Sequence, residues 1–210
     1  MGESTQGKKP FLLSFNPKAR RFLSVDLCWS RKQVALMDLD GTVEVSSEYS
    51  VESKKPQDLV DATIAAIEIL LTSKGLTNEQ IESVGIVIPG VVDAKEGVVL
   101  HSSYLDWQEA VPLGELFRQK LSIPVYLEND ANAIALGEAW IGEGRNYHSV
   151  VSLFMGEGIG GAFVLERRIF HGTDFAAAEL GKSSLATAGK LSKNLLVYLR
   201  LLKIFVIDWH

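Results

Sequence analysis

Three strand-like stretches in a row, "RFLSVDL", "QVALMDLD" and "TVEVSSEY", are followed by alternating helix and strand signals. That order is what most narrows the choice of fold, because it indicates an α/β domain built on a mixed sheet. The second and third stretches meet at Asp40-Gly41, a tight-turn pair. A helix is expected from Pro56 to Ser73, where Val60, Ile64, Ile67 and Leu71 recur at spacings of 4, 3 and 4. Pro56 suits its first turn and Gly75 its stop. Thr77-Asn78-Glu79-Gln80 reads as a capping sequence, and "SVGIVIPG" as a buried strand ending in Pro89-Gly90. A second alternation follows: a helix over Leu113 to Leu121, the strand "PVYLEND" and a helix over Ala131 to Ile141. "SVVSLFMGEGIGGAFVLE" is then a hairpin turned by glycines.

The chain has 210 residues, enough for one large domain or two small ones with a real core. Its net charge of −5 excludes a generic nucleic-acid binder. Lys8, Lys9, Lys18, Arg20 and Arg21 crowd near the start and read as a solvated arm. A single cysteine, Cys28, excludes an intramolecular disulfide and a cysteine-rich zinc site, and fits a cytoplasmic setting. "MGESTQGKKPFLLSF" has no signal-peptide core. The apolar tail "LLVYLRLLKIFVIDWH" is interrupted by Arg200 and Lys203 and falls short of the ~20 residues of a membrane span, so no membrane partner is expected.

Three constellations carry possible chemistry. Glu128, Asn129 and Asp130 stand where a strand gives way to a helix; an Asp there accepts a proton from a hydroxyl or hydrogen-bonds sugar hydroxyls, with Asn as donor and acceptor. The plainer alternative is helix capping, since Asn and Asp are favoured N-caps. Gly156, Gly158, Gly160 and Gly161 share one hairpin, where glycines let a backbone approach a phosphate or simply make a tight turn. Glu179 lies in the small-residue stretch "FAAAELGK" and says little alone.

Together "SVDLCWSRKQVALMDLDGTV", "GIVIPGVVD", "LDWQEAVPL", "PVYLENDANAIALGEAW", "GEGIGGAFV" and "HGTDFAAAELGK" resemble the ROK family of bacterial sugar kinases and sugar-responsive repressors, in the family's order from Phe22 to Lys182. The resemblance implies an actin-like ATPase (ribonuclease H-like) lobe with a mixed sheet and flanking helices. It places Asn129 and Asp130 as a sugar-contacting pair, with Asp130 as catalytic base if the chain is a kinase. Glu179 matches a sugar-binding Glu, Pro89 and Gly90 the loop lining the sugar pocket, and Ser103 a position where many kinases carry a sugar-binding Asn. Asp26, Gly158 and Gly160 fall at nucleotide-binding positions.

The departures point to the repressor branch. The kinases' first phosphate loop runs Asp-x-Gly-Gly-Thr, whereas Asp26 is followed by Leu27, Cys28, Trp29 and Ser30, which should close the approach to phosphates. Residues 1–21 resemble the connector from a winged helix-turn-helix domain, 22–182 the N-terminal lobe and the start of a second, and 183–210 diverge, as after a frameshift or early stop. Lys182 stands where the family has a histidine that helps bind sugar and zinc, and the cysteine-rich zinc loop is missing, so no zinc site is expected. The resulting reading is the sugar-sensing part of a truncated regulator, closest to xylose-type repressors. Its ligand is a monosaccharide, homodimerisation is possible, DNA is reached only through a domain this chain lacks, and no cofactor is needed. The alternative is an ATP-dependent sugar kinase of the glucokinase or fructokinase kind, with Mg-ATP as its cofactor.

Overall fold

The computed structural model describes residues 13–28, 31–155 and 159–177. In chain order its strands and helices are β1 (Arg21–Asp26), β2 (Arg31–Asp38), β3 (Val43–Ser50), α1 (Pro56–Ser73), β4 (Ser83–Ile88), β5 (Val91–Asp93), β6 (Val98–His101), α2 (Leu113–Arg118), β7 (Val125–Asn129), α3 (Asp130–Trp140), β8 (Val150–Met155), β9 (Ile159–Leu165) and β10 (Arg168–Ile169).

Five strands form one sheet in the order β3-β2-β1-β4-β7. β1, β2 and β3 pair antiparallel as a meander, whereas β4 runs parallel to β1 and β7 parallel to β4. The class is therefore α/β with a mixed sheet. The reason is local: short turns join the first strands, while α1 and α2 lie in the connections that return to the sheet in parallel.

Alternate residues of the strands point to one side, where Leu23, Val25, Val34, Leu36, Val84, Ile86, Ile88 and Leu127 are buried. α1 covers them with Leu59, Val60, Ile67, Leu70 and Leu71, and α2 adds Leu113 and Phe117. Thr63 is fully buried in α1, but its hydroxyl is satisfied by the Leu59 carbonyl at 2.7 Å and the Tyr49 hydroxyl at 2.7 Å.

A second, smaller sheet, β10-β9-β8, packs against α3. Its core is made of Ala135, Ala139, Val150, Ala162 and Val164. The small residues of α3 set this close approach: a Cβ on Gly160 would lie 3.3 Å from that of Ala131. α3 thus links the parallel end of the first sheet to the second.

From Pro17 on, the chain is tied to the first sheet. Pro17 accepts a hydrogen bond from the Leu39 amide at 3.0 Å, and Arg20 pairs with Glu82 at 2.6 Å and Arg21 with Glu44 at 3.1 Å. The expected solvated arm holds for Lys18 and Arg20, which are exposed, whereas Arg21 already belongs to β1 and is half-buried. The regular part of α2 ends at Arg118, but the Gln119 and Leu121 amides still bond back to the Glu115 and Phe117 carbonyls at 3.0 and 2.8 Å, so the expected end at Leu121 differs by one irregular last turn. The β5–β6 hairpin was not expected, since strands of three and four residues show no alternation. Among the described residues no helix is long and apolar enough to cross a membrane.

Candidate functional site

The C-terminal ends of the three parallel strands lie side by side, since Asp26 is in register with Val87 and Ile88 with Asn129. Each end carries a polar or turn element: Asp26 on β1, Pro89-Gly90 after β4, and Asn129-Asp130 at the β7–α3 junction. Ligands of open α/β sheets sit at such ends.

Asn129 holds the centre. Its Oδ1 accepts the Asn132 amide at 3.1 Å, so it is the N-cap of α3, as the plainer alternative held. Its Nδ2 donates to the Gly90 carbonyl at 2.8 Å and to Asp130 Oδ1 at 2.9 Å, so the capping residue also ties together two of the three strand ends. Asp130 Oδ1 accepts a further bond from the Ala131 amide at 3.0 Å. Both of these bonds fall on Oδ1. Burial pushes the Asp130 carboxyl above its usual range, the charge of Asp26 adds to the effect, and the bonds from Ala131 and Asn129 oppose it.

Gly90 has φ +135°, and a Cβ there would lie 2.3 Å from the His101 carbonyl oxygen. Only glycine fits this crossing. The loop beyond it is fastened by Ser102, whose buried hydroxyl donates to the Pro89 carbonyl at 2.7 Å. Its neighbour Ser103, the residue singled out in sequence, is exposed in the turn that follows.

The described start of the turn after Asp26 is buried. Asp26 Oδ1 accepts the Cys28 amide at 2.7 Å, and the Cys28 side chain is buried. Burial, with the Asp26 hydrogen bond and the charges of Asp26 and Asp130, pushes the thiol far up, so it stays protonated. Lys32 is 3% exposed; its Nζ donates to the Leu27 carbonyl at 2.8 Å and stands 5.2 Å from the centroid of the Tyr104 ring. Burial holds the Lys32 ammonium below its usual range, while the charge of Asp26 acts in the other direction. No glycine stands between Asp26 and Arg31 to open the backbone to a phosphate. For zinc, no cluster of three His, Cys, Asp or Glu side chains exists among the described residues. Trp29, Gly158, Glu179 and Lys182 lie outside the described residues.

Lys32, Tyr104, Ser102 and His171 were missed in sequence. Lys32 alone left a signal, since it alternates with Val34 and Leu36 on the buried side of β2. Lys32→Met keeps the stem but strands the Leu27 carbonyl, at a cost of about 1–3 kcal/mol. A melt of the variant should fall by roughly 3–10 °C; an unchanged melting temperature would show that Lys32 does not brace the turn.

A mixed five-stranded sheet followed by a second meander, with polar groups collected at the parallel ends, is the actin-like ATPase arrangement. The ROK family model matches residues 22–193, and this chain belongs to the ROK family. It is 31% identical over 186 residues to the xylose repressor of Caldicellulosiruptor bescii, spanning 88% of this chain and 46% of that protein. It is 37% identical over 164 residues to the glucokinase of Thermotoga maritima, spanning 77% of this chain and 50% of that one. Among solved structures, a ROK family transcriptional regulator homologous to the Escherichia coli Mlc protein superposes with a TM-score of 0.68 at 25% identity, covering 76% of this chain and 40% of that chain. The chain spans about half the length of the curated relatives it matches.

Proposed function

We propose that this chain is the sugar-sensing part of a ROK-family transcriptional regulator. Asn129 and Asp130 bind hydroxyls of a monosaccharide, Gly90 shapes the pocket floor, and Ser103 and Glu179 add contacts from neighbouring segments. What supports this reading is that Asn129 ties the Gly90 carbonyl to Asp130 where the parallel strands end, while the start of the turn after Asp26 carries the buried Cys28 above the buried Lys32 in place of glycines. The repressor and regulator relatives support it. In this reading residues 1–21 lead in from a DNA-binding domain, 22–182 form the sensing lobe and the start of its partner, and 183–210 are a divergent tail. Sugar shifts the equilibrium between two arrangements of the whole regulator and so alters its hold on DNA. No nucleotide and no zinc take part.

The kinase reading stands second, favoured by the Thermotoga maritima glucokinase match and by Asp130 as general base. Melting the chain against a panel of monosaccharides, and separately against Mg-ATP, separates the two. A ligand at 100 times its dissociation constant stabilises by ~2.7 kcal/mol, a rise of roughly 5–10 °C for a chain of this size. A rise with one sugar and none with Mg-ATP is expected; a rise with Mg-ATP would favour the kinase.

A further inference from the structure

Glu128 precedes the sugar-contact pair, and its two oxygens serve different partners. Oε1 accepts the Asn129 amide at 2.9 Å and the Asn132 side-chain amide at 2.9 Å. Oε2 meets His171 Nε2 at 2.8 Å. Glu128 lies on the edge strand of the first sheet, whereas His171 follows β10 of the second. The contact therefore fastens one sheet to the other beside Asn129 and Asp130.

His171 is also the anchor of a small closed loop. Its carbonyl accepts the Ala177 amide at 3.1 Å, Gly172 takes φ +73° to let Ala177 close in, and the His171 and Phe175 rings lie 6.2 Å apart. The side chain of the loop's first residue is the part that reaches the first sheet.

We propose that His171 is a positioning residue: with hydrogen on Nε2 it donates to Glu128, fixes the carboxylate plane, and through it holds Asn129 and Asn132 in the geometry that presents Asn129 and Asp130 to a ligand. The proposal rests on the sugar-site reading for its function but not for its geometry. A carboxylate held at one oxygen cannot rotate away from donors at the other, so the bonds reinforce one another. Asn132 is buried, and without Glu128 in place its amide would have to find another acceptor.

The test compares His171→Gln, whose amide can still donate to Glu128, with His171→Leu, which cannot. Backbone amide exchange of Asn129 and Asn132 should quicken about tenfold or more in His171→Leu, the scale of a lost hydrogen bond to a charged group. In His171→Gln it should stay near wild type, and the Ile67 amide in α1 should be unchanged in both. His171→Asn, whose shorter side chain does not reach Glu128, should behave as the Leu variant and serves if that variant does not fold. Affinities for D-xylose and D-glucose are measured on the same proteins, and whichever sugar binds should weaken with the faster exchange and recover in His171→Gln. Wild-type exchange rates in His171→Leu or His171→Asn, or a Gln variant as fast as these, would overturn the proposal. If wild type binds neither sugar, the sugar reading falls and the exchange rates still decide whether His171 positions Asn129.

Discussion

Gly90→Ala is expected to destabilise the protein by about 3–5 kcal/mol, one of the larger costs available to a single methyl group. Two effects combine. A residue with a Cβ is strained at φ +135°, and that Cβ would stand 2.3 Å from the His101 carbonyl oxygen and 3.0 Å from the Ser102 Cβ. The obstacle is mostly backbone, so β6 or the Pro89-Gly90 turn has to move. Either movement displaces the Gly90 carbonyl from Asn129 Nδ2, so ligand binding should be lost along with stability. A melt should fall by roughly 10 °C. Gly85→Ala in β4 is the control, because a Cβ there meets nothing within 4 Å, and its melting temperature should hold or rise slightly. Equal losses in the two variants would mean that Gly90 is not specially constrained.

Asp130→Asn is expected to stabilise the free chain while weakening sugar binding about 10–100-fold, the range of one hydrogen bond to a charged acceptor. The stability follows from linkage. Burial raises the carboxyl in the folded state, so the folded protein holds a proton that the unfolded chain has released. Stability contributed by that proton is present at acid pH, declines as pH rises from the unfolded carboxyl range through the raised folded value, and is gone above it. Asparagine carries no such penalty, so the variant should melt higher at neutral pH and show a flatter acid-side profile. It also separates the two functions: a sensor loses affinity alone, whereas a kinase loses turnover by about 10²–10⁴-fold with its base. A variant no more stable than wild type at neutral pH would contradict the buried-charge account.

The elements with the strongest signals were legible in sequence. α1 runs from Pro56 to Ser73, and the Thr77–Gln80 capping box is formed as expected. The first sheet follows from three adjacent strands and the alternation after them. The polar junction where Asn129 caps α3 was legible too, because Asn129 and Asp130 close an apolar strand. What escaped was set by tertiary contact: Ser102 rather than Ser103 fastens the loop to Pro89, which depends on which serine the turn faces inward. His171 meets Glu128 across 43 residues of sequence, and only the packing of α3 on the second sheet brings them together. The turn after Asp26 was half legible. Its bulky residues argued against a phosphate, but the buried Lys32 beneath it follows from strand register alone.

The central claim is a hydroxyl-binding site without a nucleotide site, and the most direct measurement is a calorimetric titration of the chain with D-xylose, D-glucose and Mg-ATP. The account predicts saturable heat with one of the sugars and none with Mg-ATP. Saturable binding of Mg-ATP, or no heat from either sugar, would contradict it.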